Sequence, residues 1–178
     1  MDSFVEEILL SHGEIVRICE RLGKKITADY QDKRPVLIGL LKGCIPFLAE
    51  LIKHIKCDIE IDFMQASSYE GTKSKGTVMV LKDIATPVKD RHLLLIEDIV
   101  DTGFTLEEVM HLLQDRGAAS IEVVTLLDKP AGRKVIMNPK YIGHEIPNKF
   151  VVGFGLDYNE IYRNLDYIGV LKESVYKK

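Results

Sequence analysis

Apolar and polar residues alternate along this chain in two rhythms. Apolar-rich runs of strand length, the mark of strands buried on both faces, occur at Val36 to Leu41, Leu93 to Ile96 and Ile121 to Leu127. The first two lead into short turns and then into apolar positions at helical spacing. These are Phe47, Leu48, Leu51 and Ile52 after Pro46, and Leu106, Val109, Met110 and Leu113 up to a stop at Gly117. Strand–helix alternation predicts an α/β fold: a central, mostly parallel sheet with right-handed crossovers and flanking helices.

Upstream, Ser11-His12-Gly13-Glu14 has the form of a capping box and opens a helix with Ile15, Ile18, Cys19, Leu22 and Ile26 on one face. Residues 3 to 10 read as a shorter helical lead-in, and Gln31 to Pro35 as a turn. Ile59, Ile61 and Phe63 alternate with Asp58, Glu60 and Asp62, a half-exposed strand. The run Ser67 to Gly76, apolar only at Tyr69, precedes the strand-like Thr77 to Leu81 and reads as an exposed hairpin loop or as a lid. Later, Ala131 to Ile146 is irregular, Phe150 to Phe154 is a short strand, and an apolar segment from Tyr167 to Leu171 closes the chain. The expected organisation is one domain over 1–178. Its core spans about 12–128, and a small hood of about 129–165, with the N-terminal segment, covers the carboxyl edge of the sheet.

Candidate chemistry gathers after Leu93-Leu94-Leu95-Ile96. Glu97 and Asp98 are adjacent acids, Asp101 is a third, and Thr102-Gly103-Phe104-Thr105 turns into the helix. Open parallel sheets bind ligands at this strand end. Hydroxyls and a glycine entering a helix suit an anion, since free N–H groups and the dipole point outward. Three carboxylates repel an anion. Both features fit a ligand that carries hydroxyls and a divalent cation together with phosphate, such as a phosphorylated sugar with magnesium. Successive strand residues face opposite ways, so Glu97 and Asp98 are expected to differ in role. Lys42-Gly43 forms a second turn at a strand end, where Lys42 and the Gly43 backbone can meet a diphosphate or simply be solvated. Lys129 ends the third strand and can donate to a carbonyl oxygen.

Composition narrows the setting. The 178 residues are 46% hydrophobic and 29% charged, with a net charge of -3 and a pI near 6.0. That balance gives no electrostatic reason to expect nucleic acid. No apolar stretch reaches the ~20 residues of a membrane span, and the acidic N-terminus, with Asp2, Glu6 and Glu7, lacks the basic start of a secretory signal. Cys19, Cys44 and Cys57 are odd in number and lack metal-type spacing, which fits a reducing cytoplasm. Cys44 reads as an apolar filler rather than a nucleophile.

The stretch Leu95 to Thr105 resembles the phosphoribosyl-diphosphate motif of type I phosphoribosyltransferases, and most of all the hypoxanthine-guanine branch in its short bacterial form. Leu41-Lys42-Gly43, Leu127-Asp128-Lys129, Phe150 to Gly153, Leu156-Asp157-Tyr158-Asn159-Glu160 and Arg163 extend the likeness over about residues 36 to 172. The resemblance implies the type I phosphoribosyltransferase fold. It also implies transfer of the phosphoribosyl group from 5-phosphoribosyl 1-diphosphate to N9 of a 6-oxopurine, with Mg2+ as cofactor, in a homodimer or homotetramer. The roles are Asp101 as general base or only as the group that orients the purine, Glu97 and Asp98 on ribose and metal, and Thr102, Gly103, Phe104 and Thr105 at the 5-phosphate. Lys42, Gly43 and Arg163 would meet the diphosphate. Lys129, Phe150, Val151 and Asp157 would hold the purine, with Asp157 also on a second metal, and Ser68 and Tyr69 would close a lid. A strained or cis peptide near Lys42 is implied as well. Phe104 stands where some relatives carry Lys, so the backbone and hydroxyls must hold the phosphate. The alternatives are a xanthine-preferring enzyme and a metabolite-sensing regulator of the same fold.

Overall fold

The computed structural model describes residues 2–68 and 78–177. Of the expected lid pair, Tyr69 lies outside the described residues, and Ser68 ends a strand. Six strands build the main sheet: β2 (Val36–Leu40), β3 (Glu60–Ser68), β4 (Val78–Lys82), β5 (His92–Val100), β6 (Ser120–Asp128) and β7 (Tyr141–Glu145). Their order is β4-β3-β2-β5-β6-β7, and every neighbouring pair is parallel except β3 with β4. The mostly parallel α/β expectation is met.

Strand β5 sits at the centre because it is apolar on both sides. Leu93, Leu94, Leu95 and Ile96 are all 0% exposed, and each such burial contributes about 1.5–3 kcal/mol. Strand alternation divides them. Leu94 and Ile96 join the core formed with α1 (His12–Tyr30) and α2 (Cys44–Leu51), whereas Leu93 and Leu95 join the core formed with α3 (Phe104–Asp115). The capping box at the start of α1 is present: the Glu14 carboxylate accepts from the Ser11 amide at 2.8 Å and from its hydroxyl at 2.6 Å.

Two expectations are corrected. Residues 3 to 10 are not a helical lead-in: Val5–Leu10 is strand β1, antiparallel to β9 (Ile168–Leu171). Two register irregularities break its period-2 pattern, and its partner lies at the other end of the chain, so local periodicity could not reveal it. The irregular stretch 131–146 contains β7, which extends the main sheet. Gly143 lets β7 approach, since a Cβ there would lie 2.3 Å from the Leu126 carbonyl oxygen, and the fully buried Tyr141 donates its hydroxyl to Asp29 at 2.6 Å. The main sheet therefore extends to Glu145. Glu97 and Asp98 stand near the carboxyl end of β5, which continues to Val100.

A second, three-stranded antiparallel sheet, β1-β9-β8, with β8 at Val151–Val152, forms a hood that joins Val5–Leu10 to Ile168–Leu171. Val151, Ile168 and Val170 pack into the α1–α2 core and tie the hood to the main sheet. The chain ends in a one-turn helix, α4 (Glu173–Tyr176).

Candidate active site

The alternation of β5 carries past its apolar run and sends its two acids to different sides. Glu97 keeps the parity of Leu93 and Leu95. It lines a cavity of about 110 Å3 with Ile99, Val100, Thr102, Gly103, Thr105 and Leu106. Asp98 faces the other way: a Cβ added at Gly43 would lie 1.7 Å from Asp98 Oδ2. Burial, and then the charge of Asp98, push the Glu97 carboxyl well above the usual range. Burial lifts Asp98 to about 6, against the pull of the Ile99 amide, which donates to Oδ1 at 2.8 Å, and of Arg163. Burial, with help from both acids, pushes the Cys44 thiol up to about 12, which removes it as a nucleophile.

The turn closes through Gly103, whose φ of +84° is the left-handed conformation that glycine adopts most easily. Thr102 and Thr105 reach the cavity from either side of it, and Phe104 points out, 44% exposed. No charged side chain of the turn enters the cavity, so hydroxyls and free helix N–H groups are its anion donors.

Asp101 is held from a strap that follows β6. Its carboxylate is paired with Lys129, and its carbonyl oxygen accepts from Arg133 Nη1 at 2.9 Å. Arg133 is in turn ion-paired with the buried Asp128. The next residue, Thr102, accepts at its carbonyl from the Lys134 amide at 3.0 Å.

A third group lies about the second turn. The Leu41–Lys42 peptide is cis. Lys42 Nζ is 2.7 Å from Glu160, and Glu160 also meets Arg163 at 3.1 Å. Arg163 contacts Asp157 at 2.9 Å and donates to the Gly155 carbonyl at 2.7 Å, while its buried Nε has no partner among the described residues. Gly155 packs on Gly43, since a Cβ there would lie 2.0 Å from the Gly43 carbonyl oxygen. In the hood, Phe150 is 39% exposed, stacked on Tyr176 with centroids 5.0 Å apart and edge-on to Tyr158 at 5.8 Å. Val151 lies on β8, an edge strand.

Comparison with known proteins decides what this arrangement belongs to. Residues 6–159 match the phosphoribosyl transferase domain. The chain is 54% identical to a hypoxanthine-guanine phosphoribosyltransferase of Lactococcus lactis, covering 100% of this chain and 97% of the relative. The chain belongs to the phosphoribosyltransferase family. A crystal structure of a Staphylococcus aureus hypoxanthine phosphoribosyltransferase superposes with a TM-score of 0.95 at 49% identity, covering 98% of this chain and 96% of that one. A Trypanosoma cruzi hypoxanthine phosphoribosyl transferase superposes at 0.94 with 36% identity, covering 99% and 96%.

Within this phosphoribosyltransferase, the expected residues fall into three groups. Glu97, Thr102, Gly103 and Thr105 share the cavity, with Asp101 and Lys129 joined beside it. Lys42, Arg163 and Asp157 form a second group, linked through Glu160, with Gly43 and Asp98 against each other beside it. Phe150 and Val151 stand on the hood. Among the described residues, no group of three or more His, Cys, Asp or Glu is arranged to hold a metal ion. Both Asp157 oxygens are engaged, Oδ1 by Arg163 and Oδ2 by the Glu160 amide at 2.9 Å. Sequence reasoning missed Ile99 and Val100 as cavity lining, and Arg133 and Asp128 as the support of Asp101. It quoted Glu160 only as part of a motif, without its pairing to two cations.

Proposed function

We propose that this chain transfers the 5-phosphoribosyl group from 5-phosphoribosyl 1-diphosphate to N9 of hypoxanthine or guanine, releasing diphosphate. The observation that carries this reading is the small cavity where an acid from β5 meets the hydroxyls of Thr102 and Thr105, immediately after the Asp101–Lys129 pair. The turn holds the 5-phosphate through N–H and hydroxyl donors. Glu97 and Asp98 accept from the ribose hydroxyls, and their charge favours the cationic sugar that forms as the anomeric bond breaks.

Lys42 and Arg163 face the departing diphosphate, with the Gly43 backbone between them. They must first give up Glu160. Asp101 accepts the purine proton as N9 attacks. Lys129 has three donors, so it can keep Asp101 oriented and also donate to the 6-oxo group of the base. Adenine presents a donor at that position and is disfavoured. Phe150 offers a flat face to the purine, and Val151 and Asp157 lie by its edge.

Magnesium, when bound, would neutralise the diphosphate and fix its geometry. Its fit rests on donor chemistry: Glu97 and Asp98 offer hard carboxylates on either side of the β5 strand end, and magnesium takes few protein ligands while keeping waters and phosphate oxygens. Asp157 would join only by releasing Arg163 or the Glu160 amide.

The Trypanosoma cruzi structure concerns oligomeric state and activity of that protein, and we extend a homo-oligomer to this chain. Among the described helices none is long and apolar enough to cross a membrane. Cys19, Cys44 and Cys57 are free thiols, which supports a reducing cytoplasm as the setting. Initial rates with 5-phosphoribosyl 1-diphosphate, magnesium and each of hypoxanthine, guanine, xanthine and adenine test the assignment. The expected products are IMP and GMP. Product from xanthine alone moves the base specificity, and product from adenine alone refutes the role given to Lys129.

A further inference from the structure

We propose that Arg133 is a positioning residue for this reaction: anchored on buried Asp128, it holds the Asp101 carbonyl and so fixes the turn that carries Asp101 and the phosphate donors. The proposal rests on the reading of Asp101 as the base. Asp128 is the last residue of β6, lies opposite Val100 in the sheet register, and is only 5% exposed. A buried carboxylate and guanidinium lose hydration that their attraction often fails to restore, so such a pair is weak evidence for stability. Here the pair has a second arm. The same guanidinium that meets Asp128 through Nη2 donates through Nη1 to the Asp101 carbonyl at 2.9 Å, and its side chain is 13% exposed.

The rest of the strap lies against the same turn. A Cβ on Gly132 would fall 1.8 Å from Asp101 Oδ1. A Cβ on Gly103 would fall 2.8 Å from Val135 Cγ2 and 3.4 Å from Arg133 Cδ. The Lys129 amide donates to the Val100 carbonyl at 3.0 Å, and the Lys134 amide to that of Thr102 at the same distance. Asp101 is thus gripped at its carboxylate by Lys129, at its carbonyl by Arg133 and at the next peptide by Lys134. Among these, Arg133 alone ties the turn to a buried charge in the main sheet. A lysine cannot replace it. One ammonium lacks the planar fork that reaches two acceptors in fixed directions.

The test is Arg133→Lys made in the wild type and in Asp101→Asn, with kcat, KM for 5-phosphoribosyl 1-diphosphate and melting temperature measured for each. Alone, Arg133→Lys should lower kcat about tenfold or more, the scale of a sub-ångström to 1 Å misplacement, and raise that KM several-fold. In Asp101→Asn the kcat loss should shrink to threefold or less while the KM effect persists. Equal kcat losses in both backgrounds would overturn the proposal. So would a lowered melting temperature with kcat and KM unchanged. If Arg133→Lys does not fold, the double variant Arg133→Gln/Asp128→Asn removes both buried charges together and is read in the same way. An unchanged kcat in Asp101→Asn alone would reject the base reading. The positioning claim would then stand or fall on the rise in KM that Arg133→Lys causes by itself.

Discussion

Gly43→Ala isolates one contact at the centre of the site. Gly43 has φ -62° and ψ -28°, a conformation alanine adopts freely, so no backbone strain follows from the change. The new methyl carbon would lie 1.7 Å from Asp98 Oδ2 and 2.6 Å from its Cγ. Cβ contacts under 3.0 Å essentially do not occur, so this gap must open by more than 1 Å. Either the Asp98 carboxylate swings away from the ribose and metal side, or the Lys42–Gly43 turn retreats from the diphosphate. A misplacement of 1 Å costs about 10²-fold in rate, equivalent to roughly 2.7 kcal/mol in the barrier. The expected result is a kcat/KM about 10²-fold lower in initial-rate assays of nucleotide formation, with a melting temperature within a few degrees of wild type. Gly13→Ala is the control. Its added carbon meets only Arg17 Nη1, at an ordinary 3.7 Å, so rate should be unchanged. A Gly43→Ala enzyme as active as Gly13→Ala would refute the idea that Gly43 is required for the close approach to Asp98.

Two further outcomes follow from pairings in the fold. Glu160 occupies Lys42 and Arg163, the cations assigned to diphosphate; Lys42 and Glu160 lie largely in solvent, where their pair is weak, while Arg163 is half-buried. Glu160→Gln should therefore lower KM for 5-phosphoribosyl 1-diphosphate by about threefold, and a raised KM would show that Glu160 organises those cations rather than competing for them. Partial burial pushes the Asp62 carboxyl up, but amides of Thr86, Phe63 and Ala85 outweigh this and hold it below its ordinary 3.8. A lowered folded pKa stabilises above the unfolded value, and that stabilisation is lost as pH falls through the folded one. Asp62→Ala should thus cost about 2 kcal/mol at pH 7 and progressively less below pH 4 in denaturant titrations. A cost independent of pH would refute the charge-based account.

The fold was legible where local pattern and tertiary burial agree. The four consecutive apolar residues of β5 announce a strand covered on both sides, and α3 repeats at helical spacing up to Gly117. It was illegible where a strand depends on a distant partner. Val5–Leu10 looks amphipathic in more than one way, and only β9 decides it. Tyr141–Glu145 has two apolar residues and becomes a strand because Gly143 can approach Leu126. In the site, alternation alone foretold that Glu97 and Asp98 would diverge, and they do. The Asp128–Arg133 support carried no local signal, because a buried ion pair is written in the sequence as two ordinary charges five residues apart. The Glu160 link was equally hidden, since Lys42 is far away along the chain.

The account stands on phosphoribosyl transfer at the β5 strand end, and 31P NMR of one reaction mixture tests it most directly. With enzyme, magnesium, hypoxanthine and 5-phosphoribosyl 1-diphosphate, the substrate signals should disappear as inorganic diphosphate and IMP appear in equal amounts, and a chelator should stop the change. Substrate signals that persist, or ribose 5-phosphate formed without nucleotide, would contradict it.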